Sequence, residues 1–329
     1  MNYSELKGFN FQWLIDWEPN AQPKEPDLKA LDFLAKHGFN YVRIPTNYWF
    51  WVNNFDYENP NEQVFEHIDR YLAACQERDL HMSLNMHRVP GYCINQPEIE
   101  KHNLWTDHEP QDALVNFWQT WAERYKSVSN DDLSFDLINE PPHEGERGFN
   151  RDIHQKIIRR TVGAIREASP DRTIVINGIA GGHLAIPELI DLNVVHSGRG
   201  YQPMTVSHYK ASWWAPAMAF DEPIYPGSIW EDRIWQRDTF DEFFQPWRDV
   251  AAQGVQVHIG ECGCYDKTPE PVAKRWMTHM FEFFRSQGWG YGLWNFVGPF
   301  GIIGHARDAK FEEMDGYLVD RELLEILIG

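Results

Sequence analysis

The chain has 329 residues, 43% hydrophobic and 24% charged, which are globular proportions that exclude a fibrous or disordered class. Its 30 Lys and Arg against 49 Asp and Glu leave a net charge of −19. That balance repels phosphate backbones and anionic bilayers, so neither nucleic acid nor membrane is an expected partner.

In chain order, residues 7–14 read as a first strand. Residues 27–37 carry Leu28, Leu31, Leu34 and Ala35 at helical spacing and stop at Gly38, a helix C-terminal signal. A second strand follows over 39–45, a helix over 63–78 with Val64, Ile68, Tyr71, Leu72 and Cys75 on one face, and a third strand over 80–87. A helix over 112–126 precedes Leu133-Ser-Phe-Asp-Leu-Ile-Asn139-Glu140, a buried strand that Pro141-Pro142 must stop, because proline cannot continue a ladder. The alternation goes on with a helix over 151–168, strand five over 173–178, a short helix over 184–190 and strand six over 193–201. It ends with a helix over 240–252, strand seven over 254–261, a helix over 271–286 with Trp276, Met280 and Phe283 inward, and strand eight over 291–296. Eight strands alternating with helices predict an α/β fold, a (β/α)8 TIM barrel that forms a single domain over residues 1–329. Two long connections, 47–61 and 201–239, leave the C-terminal face and are expected to wall a cleft there.

Cys75, Cys93, Cys262 and Cys264 form no disulfide framework, and the Cys-x-Cys pair lacks a neighbouring His cluster, so free thiols and no metal are expected. The first residues have neither the basic nor the apolar segment of a secretory leader. A cytoplasmic location is expected for the chain as written, and secretion if a leader was removed. Fifteen Trp and 13 Tyr offer flat amphipathic faces suited to sugar rings, although most aromatics of a globular chain pack in its core.

Two carboxylates carry the chemical signal. Glu140 ends strand four and Glu261 ends strand seven, and each read alone fits a helix-capping or salt-bridged residue. Two glutamates at the tips of separate strands, facing each other across a gap of about 5 Å, are what double displacement on an acetal requires. The same rim collects Arg43, His87, Asn139, Tyr201 and Trp294, which would be expensive to place there for stability alone. Singly, Arg43 fits a rim ion pair, His87 a satisfied buried histidine and Trp294 a core residue.

Arg43 in Val-Arg-Ile-Pro, His87 in Leu-Asn-Met-His, Asn139-Glu140-Pro141, Glu261 in Ile-Gly-Glu and Trp294 in Leu-Trp-Asn fall in the order of glycoside hydrolase family 5, the cellulase-like retaining β-glycosidases. The resemblance covers nearly the whole chain, and compact clostridial-type endoglucanases are the most similar. It implies Glu140 as general acid/base and Glu261 as nucleophile. It also implies Arg43 supporting the nucleophile, His87 and Asn139 lining the reacting subsite, the Tyr201 hydroxyl touching Glu261, and Trp294 as sugar platform. The implied partner is an oligo- or polysaccharide, with no cofactor.

Two departures bear on substrate. The family's His-x-Tyr at the end of strand six is Arg199-Gly-Tyr201 here, and Arg88 follows His87 where a second His is common. A fixed, donor-only cation in place of a neutral imidazole suggests a subsite retuned for another sugar or an anionic substituent. An alternative alignment uses His208-Tyr209 as the pair; the preferred one places His208 and Trp213 in a downstream loop flanking the cleft. An exo-acting glycosidase and a non-catalytic sugar-binding barrel are the rival readings.

Overall fold

The computed structural model describes residues 1–18 and 21–329. It runs β1 (Lys7–Asn10), α1 (Leu28–Lys36), β2 (Tyr41–Asn47), α2 (Phe65–Gln76), β3 (His81–Arg88), α3 (His108–Arg124), β4 (Leu133–Asp136), α4 (Arg151–Ala168), β5 (Ile174–Asn177), α5 (Ile179–Gly182) and β6 (Val195–Gly200). There follow α6 (Met204–Ser207), β7 (Ser228–Trp230), β8 (Arg233–Trp235), α7 (Thr239–Phe243), α8 (Gln245–Ala251), β9 (Val257–Cys262), α9 (Glu270–Gln287), β10 (Gly290–Leu293), β11 (Phe311–Met314), β12 (Tyr317–Asp320) and α10 (Arg321–Ile328). Strands β1 to β6, β9 and β10 close into one parallel barrel, the expected (β/α)8 architecture.

Local chemistry sets the element ends. Asp27 and Asn150 accept the N–H of Ala30 (3.0 Å) and Ile153 (2.9 Å), satisfying donors that the first turns of α1 and α4 leave open. The helix expected over 240–252 is two, because Pro246 has no N–H to continue the α7 ladder and instead sits in the first turn of α8. The helix expected over 184–190 is a 3-10 turn, Pro187–Leu192, stopped by Asn193 in the left-handed region (φ 51°). Strand one ends at Asn10 rather than at residue 14; beyond it the pairing with β2 is reduced to Phe11 N–H on Arg43 O (2.9 Å) and an isolated bridge between Leu14 and Thr46, and the Asn10 side chain donates to the carbonyls of Gly260, Gly292 and Leu293. Hairpins β7–β8 and β11–β12 lie in connections where no strand was expected.

Alternate residues along each strand face the barrel axis. At the N-terminal end this interior is closed by Tyr3, Leu6, Tyr41, Val175 and Val195, with Tyr3 edge-on to Tyr41, His81 and His258. Farther up it turns polar: across neighbouring strands Arg43 stands opposite Ser83, Asn85 opposite Asp136, and Asn177 opposite Ser197. The apolar core therefore lies mainly outside the barrel, under the helices. Three of its buried tryptophans also brace the upper strand ends. Trp118 donates its indole N–H to the carbonyl of Leu137 (3.2 Å), Trp247 to that of His183 (3.1 Å) and Trp276 to that of Gln202 (3.1 Å). No helix among the described residues is long and apolar enough to cross a membrane, and all four cysteines are buried free thiols.

Trp118→Ala removes a fully buried indole and the donor that fixes the segment just after β4. It is expected to cost about 3–5 kcal/mol in urea unfolding, and Trp118→Phe clearly less, because the ring volume is largely kept.

Candidate active site

Glu261 reaches the barrel interior through a bulge. Gly198 pairs with Ile259 and Arg199 with Glu261, so Gly260 is passed over, and β10 shows the same shift. Without the extra residue Glu261 would share the outward phase of Ile259; with it, the carboxylate joins Arg199 inside. Only glycine fits at 260, where a Cβ would come within 2.5 Å of Ser197 Oγ. His87 is the passed-over residue of a second bulge, between Thr46–Met86 and Asn47–Arg88.

Glu140 is set differently. β4 stops at Asp136, and the next residues are carried by single hydrogen bonds: Leu137 N–H to Val175 O (3.1 Å), Asn139 N–H to Met86 O (3.2 Å) and Glu140 N–H to Asn177 Oδ1 (3.2 Å). Glu140 has φ 48°, a left-handed conformation that costs about 1–2 kcal/mol for a side-chain-bearing residue. The Tyr92 hydroxyl donates to its carbonyl at 2.6 Å and holds it there.

Two guanidiniums, both 0% exposed, tie these pieces together. Arg43 donates from Nε to Asp136 (2.7 Å), from Nη1 to Asn10 (2.9 Å) and Glu261 Oε1 (2.5 Å), and from Nη2 to Asn139 Oδ1 (2.9 Å). Arg199 donates from Nε to Glu140 Oε1 (2.7 Å) and from Nη2 to Asn177 Oδ1 (2.5 Å), Asn139 Oδ1 (2.8 Å) and Glu261 Oε1 (3.3 Å). Its Nη1 serves Ser197 Oγ (3.3 Å) and the Gly198 carbonyl (3.0 Å). Glu261 Oε2 accepts one neutral donor, the Tyr201 hydroxyl at 3.1 Å. Asn139 Oδ1 faces both arginines, which turns its Nδ2 away from them; that nitrogen and both ring nitrogens of His87 find no partner among the described residues.

The two glutamates differ in proton affinity. Burial, reinforced by the charge of Glu261, pushes Glu140 up to about 7 although Arg199 pulls the other way. Burial would raise Glu261 too, but Arg199 and then Arg43 outweigh it and hold it down at about 2. At neutral pH one carboxylate can carry the proton while its neighbour carries the charge. Burial, opposed by Glu261 and aided by Arg43 and Arg199, pushes His87 down to about 3 and keeps it neutral; burial and Glu261 keep Tyr201 protonated.

The other expected residues divide. The Trp294 ring stacks on His87 (centroids 5.5 Å apart), with Trp17 edge-on to that imidazole at 6.1 Å. His208 lies edge-on to Tyr201 (5.1 Å) and to Trp213 (6.0 Å), and Trp213 is 52% exposed, so this pair stands beside the carboxylates rather than between them. Arg199, not His208, is the strand-six residue inside the site. Two expectations need correction. Arg88 is not a subsite residue: it is buried, paired with Glu100 (2.8 Å), bonded to Asn95 O (2.8 Å) and stacked on Trp49, and so braces the loop after β3. Arg199 offers nothing to an anionic substituent, because all three of its nitrogens are engaged by the site itself.

Asp136, Asn10, Asn177 and Tyr92 went unrecognised in the sequence. Inward phase was the available signal for the first three, since Asp136 and Asn177 share the two-residue period of Ser134 and Val175; Tyr92 ends the segment His87-Arg-Val-Pro-Gly-Tyr92 that the family resemblance includes, but its role at Glu140 shows only in the fold.

A family model described as cellulase (glycosyl hydrolase family 5) matches residues 2–298. Endoglucanase C of Acetivibrio thermocellus is 28% identical over 204 residues, which are 60% of this chain and 57% of that protein. The chain thus spans less than three-fifths of the length of the curated relatives it matches first. A crystal structure titled only as a glycoside hydrolase is 54% identical with TM-score 0.97 and 98% coverage of both chains. The endoglucanase Cel5A of Thermotoga maritima, 20% identical with TM-score 0.78 over 99% of this chain and 98% of its own, shares the fold.

Asp136→Asn withdraws a buried charge from Arg43 and reorients Asn177, whose Nδ2 donates to Asp136 Oδ1 at 2.7 Å. It is expected to destabilise the chain by about 3 kcal/mol at unchanged m-value in urea unfolding.

Proposed function

Because the chain belongs to the cellulase family, glycosyl hydrolase family 5, we propose that it is a retaining β-glycoside hydrolase that cleaves a neutral β-glycan or its oligosaccharides in the manner of an endoglucanase. The observation that carries the reading is the pairing of Glu140 and Glu261 on one buried guanidinium with proton affinities displaced in opposite directions. In glycosidases that arrangement divides labour between a proton donor and a nucleophile.

Glu261 Oε2, bound among the described residues by the neutral Tyr201 hydroxyl alone, keeps the lone pair with which to attack the anomeric carbon, while Oε1 is held by both arginines. As the sugar's bond to the leaving oxygen breaks, Glu140 gives that oxygen its proton. Water then attacks the glycosyl ester on the same face the leaving group vacated, and Glu140, now a carboxylate, takes its proton. Asn139 Nδ2, aimed away from the arginines, is suited to donate to a sugar hydroxyl whose hydrogen bond tightens as the ring flattens. The His87–Trp294 stack and the exposed Trp213 provide ring faces for flat sugars. A neutral substrate follows from the chain's charge of −19 and from guanidiniums already engaged by the site's own acceptors.

Glu261→Ala is expected to abolish turnover of both β-1,4-glucan oligosaccharides and aryl β-glycosides. Glu140→Ala should lose about 10²–10⁴-fold on the oligosaccharides and much less on an aryl glycoside whose leaving group needs no proton. The pH profile follows from the sign of each shift. Glu140 must be protonated, so kcat/KM falls as pH rises through about 7; Glu261 must be ionised, so the acid limb appears only as pH falls toward about 2. Turnover surviving in Glu261→Ala, or an anomer of inverted configuration released first, would refute the reading.

A further inference from the structure

We infer that Arg199 is a positioning residue that acts as the shared counter-ion of the two carboxylates, neutralising the single negative charge they hold between them as it passes from Glu261 to Glu140 and back. The inference rests on the retaining reading above and concerns what this chain has put where its family resemblance leads one to expect a histidine.

The charge is conserved through the reaction and only its seat changes. Before reaction Glu261 is a carboxylate and Glu140 an acid. In the first step Glu261 Oε2 bonds to the anomeric carbon, the bond from that carbon to the leaving oxygen breaks, and the Glu140 proton goes to that oxygen. Glu261 is then a neutral ester and Glu140 a carboxylate. In the second step water oxygen bonds to the anomeric carbon, the ester bond breaks with its electron pair returning to Glu261, and the proton released by water goes to Glu140. Arg199 touches both seats at once, Nε on Glu140 Oε1 at 2.7 Å and Nη2 on Glu261 Oε1 at 3.3 Å, so its charge serves either carboxylate without moving. Among the described residues Glu140 has no other cation within hydrogen-bond reach, whereas Glu261 also has Arg43.

The surroundings hold the guanidinium in that bridging pose. Ser197 Oγ and the Gly198 carbonyl take Nη1, and the amide oxygens of Asn139 and Asn177 take Nη2. Space for the stem comes from Gly182, which has φ +83° and where a Cβ would lie 2.5 Å from Arg199 Cγ. The turn carrying Gly182 is anchored to the segment after Glu140, Ala180 N–H to Pro142 O (3.1 Å) and Gly181 N–H to Pro141 O (3.0 Å). A neutral imidazole has no charge to share and one acceptor-facing N–H at a time, so it cannot bridge in this way.

The test compares the unsubstituted chain with Arg199→Gln, Arg199→Lys and Arg199→His on two substrates. With cello-oligosaccharides, the alkaline limb of kcat/KM reports Glu140 as acid in the free enzyme. With an activated aryl β-cellobioside, whose kcat is limited by hydrolysis of the glycosyl-enzyme, the acid limb of kcat reports Glu140 as base. In Arg199→Gln both limbs are expected to move to higher pH by about 1–3 units, and below the displaced acid limb a glycosyl adduct should accumulate in intact mass spectra. Arg199→Lys, which keeps the charge, should show a smaller move. Arg199→His should move both limbs upward and stands in if the glutamine variant does not fold. A folded Gln or His variant that loses rate with both limbs unmoved would overturn the inference and leave Arg199 a purely structural residue. Failure of the underlying reading looks different: the unsubstituted chain would turn over neither substrate and form no covalent adduct with a 2-deoxy-2-fluoro-β-glycoside.

Discussion

Two guanidiniums buried at the axis of a barrel set the terms for everything around them. Moving an ion from water into a protein interior costs several kcal/mol even after relaxation, and only well-placed opposite charges with further hydrogen bonds offset it. Arg43 and Arg199 meet that condition through Asp136, Glu261 and Glu140 together with Asn10, Asn139, Asn177 and Ser197. The requirement explains why the upper interior of this barrel is polar where branched aliphatic layers are usual. It also explains the closure below: Tyr3, Tyr41, His81 and His258 pack ring on ring beneath the charges and keep bulk water from entering by the N-terminal end.

A regular barrel would not bring these groups together. Period-two alternation sends every second residue outward, so placing Glu261 inside takes one extra residue in β9, whereas His87 keeps the inward phase of Ser83 and Asn85. Glu140 is placed by a left-handed residue just past the end of its strand rather than by a bulge. Such irregular segments lose ladder hydrogen bonds, and the chain replaces them from outside. Trp118, Trp247 and Trp276 each supply an indole N–H to a carbonyl at the rim, and Tyr92 supplies a hydroxyl to Glu140 itself. The high aromatic content therefore serves the site largely from behind, as rigid donors within an apolar layer, and only in part as faces for a ligand.

The strand–helix alternation was legible because hydrophobic periodicity, glycine stops and proline breaks are local signals; the helix at 151–168 came out at its observed ends. What failed was equally physical. Pro246 lies in the middle of the helix expected over 240–252, and it divided that helix into two. Both unforeseen hairpins sit in long connections whose pairing depends on packing that no short window contains. In the site, Glu140, Glu261, Arg43, Asn139 and Tyr201 were legible as strand-tip polar residues in a recurring order, and the structure brings them together. Arg88 was misread because adjacency to His87 says nothing of direction: side chains of neighbouring residues leave a strand on opposite faces, and Arg88 turned to Glu100. Asp136 was overlooked for the complementary reason, since a carboxylate inside a strand looks like a cost until its two partners, from β2 and β5, are known.

The difference in proton affinity between the glutamates, on which the proposed division of roles rests, then reduces to how many guanidiniums each one hydrogen-bonds. Both are buried, and burial alone would raise both. Glu261 Oε1 accepts from two guanidiniums, enough to overturn that penalty and leave the carboxylate charged; Glu140 accepts from one, and that one is shared with a neighbouring anion. The asymmetry does not come from the residues themselves, which are chemically identical, but from Arg43 hydrogen-bonding to Glu261 while acting on Glu140 only from farther away, on top of the Arg199 charge that both share. A guanidinium in place of an imidazole at position 199 leaves that asymmetry standing, because it adds the same charge to both sides of the pair. Under the proposed mechanism Arg199 therefore keeps the division between acid and nucleophile while changing the field in which the proton moves, and it does so without presenting a free cation to the ligand.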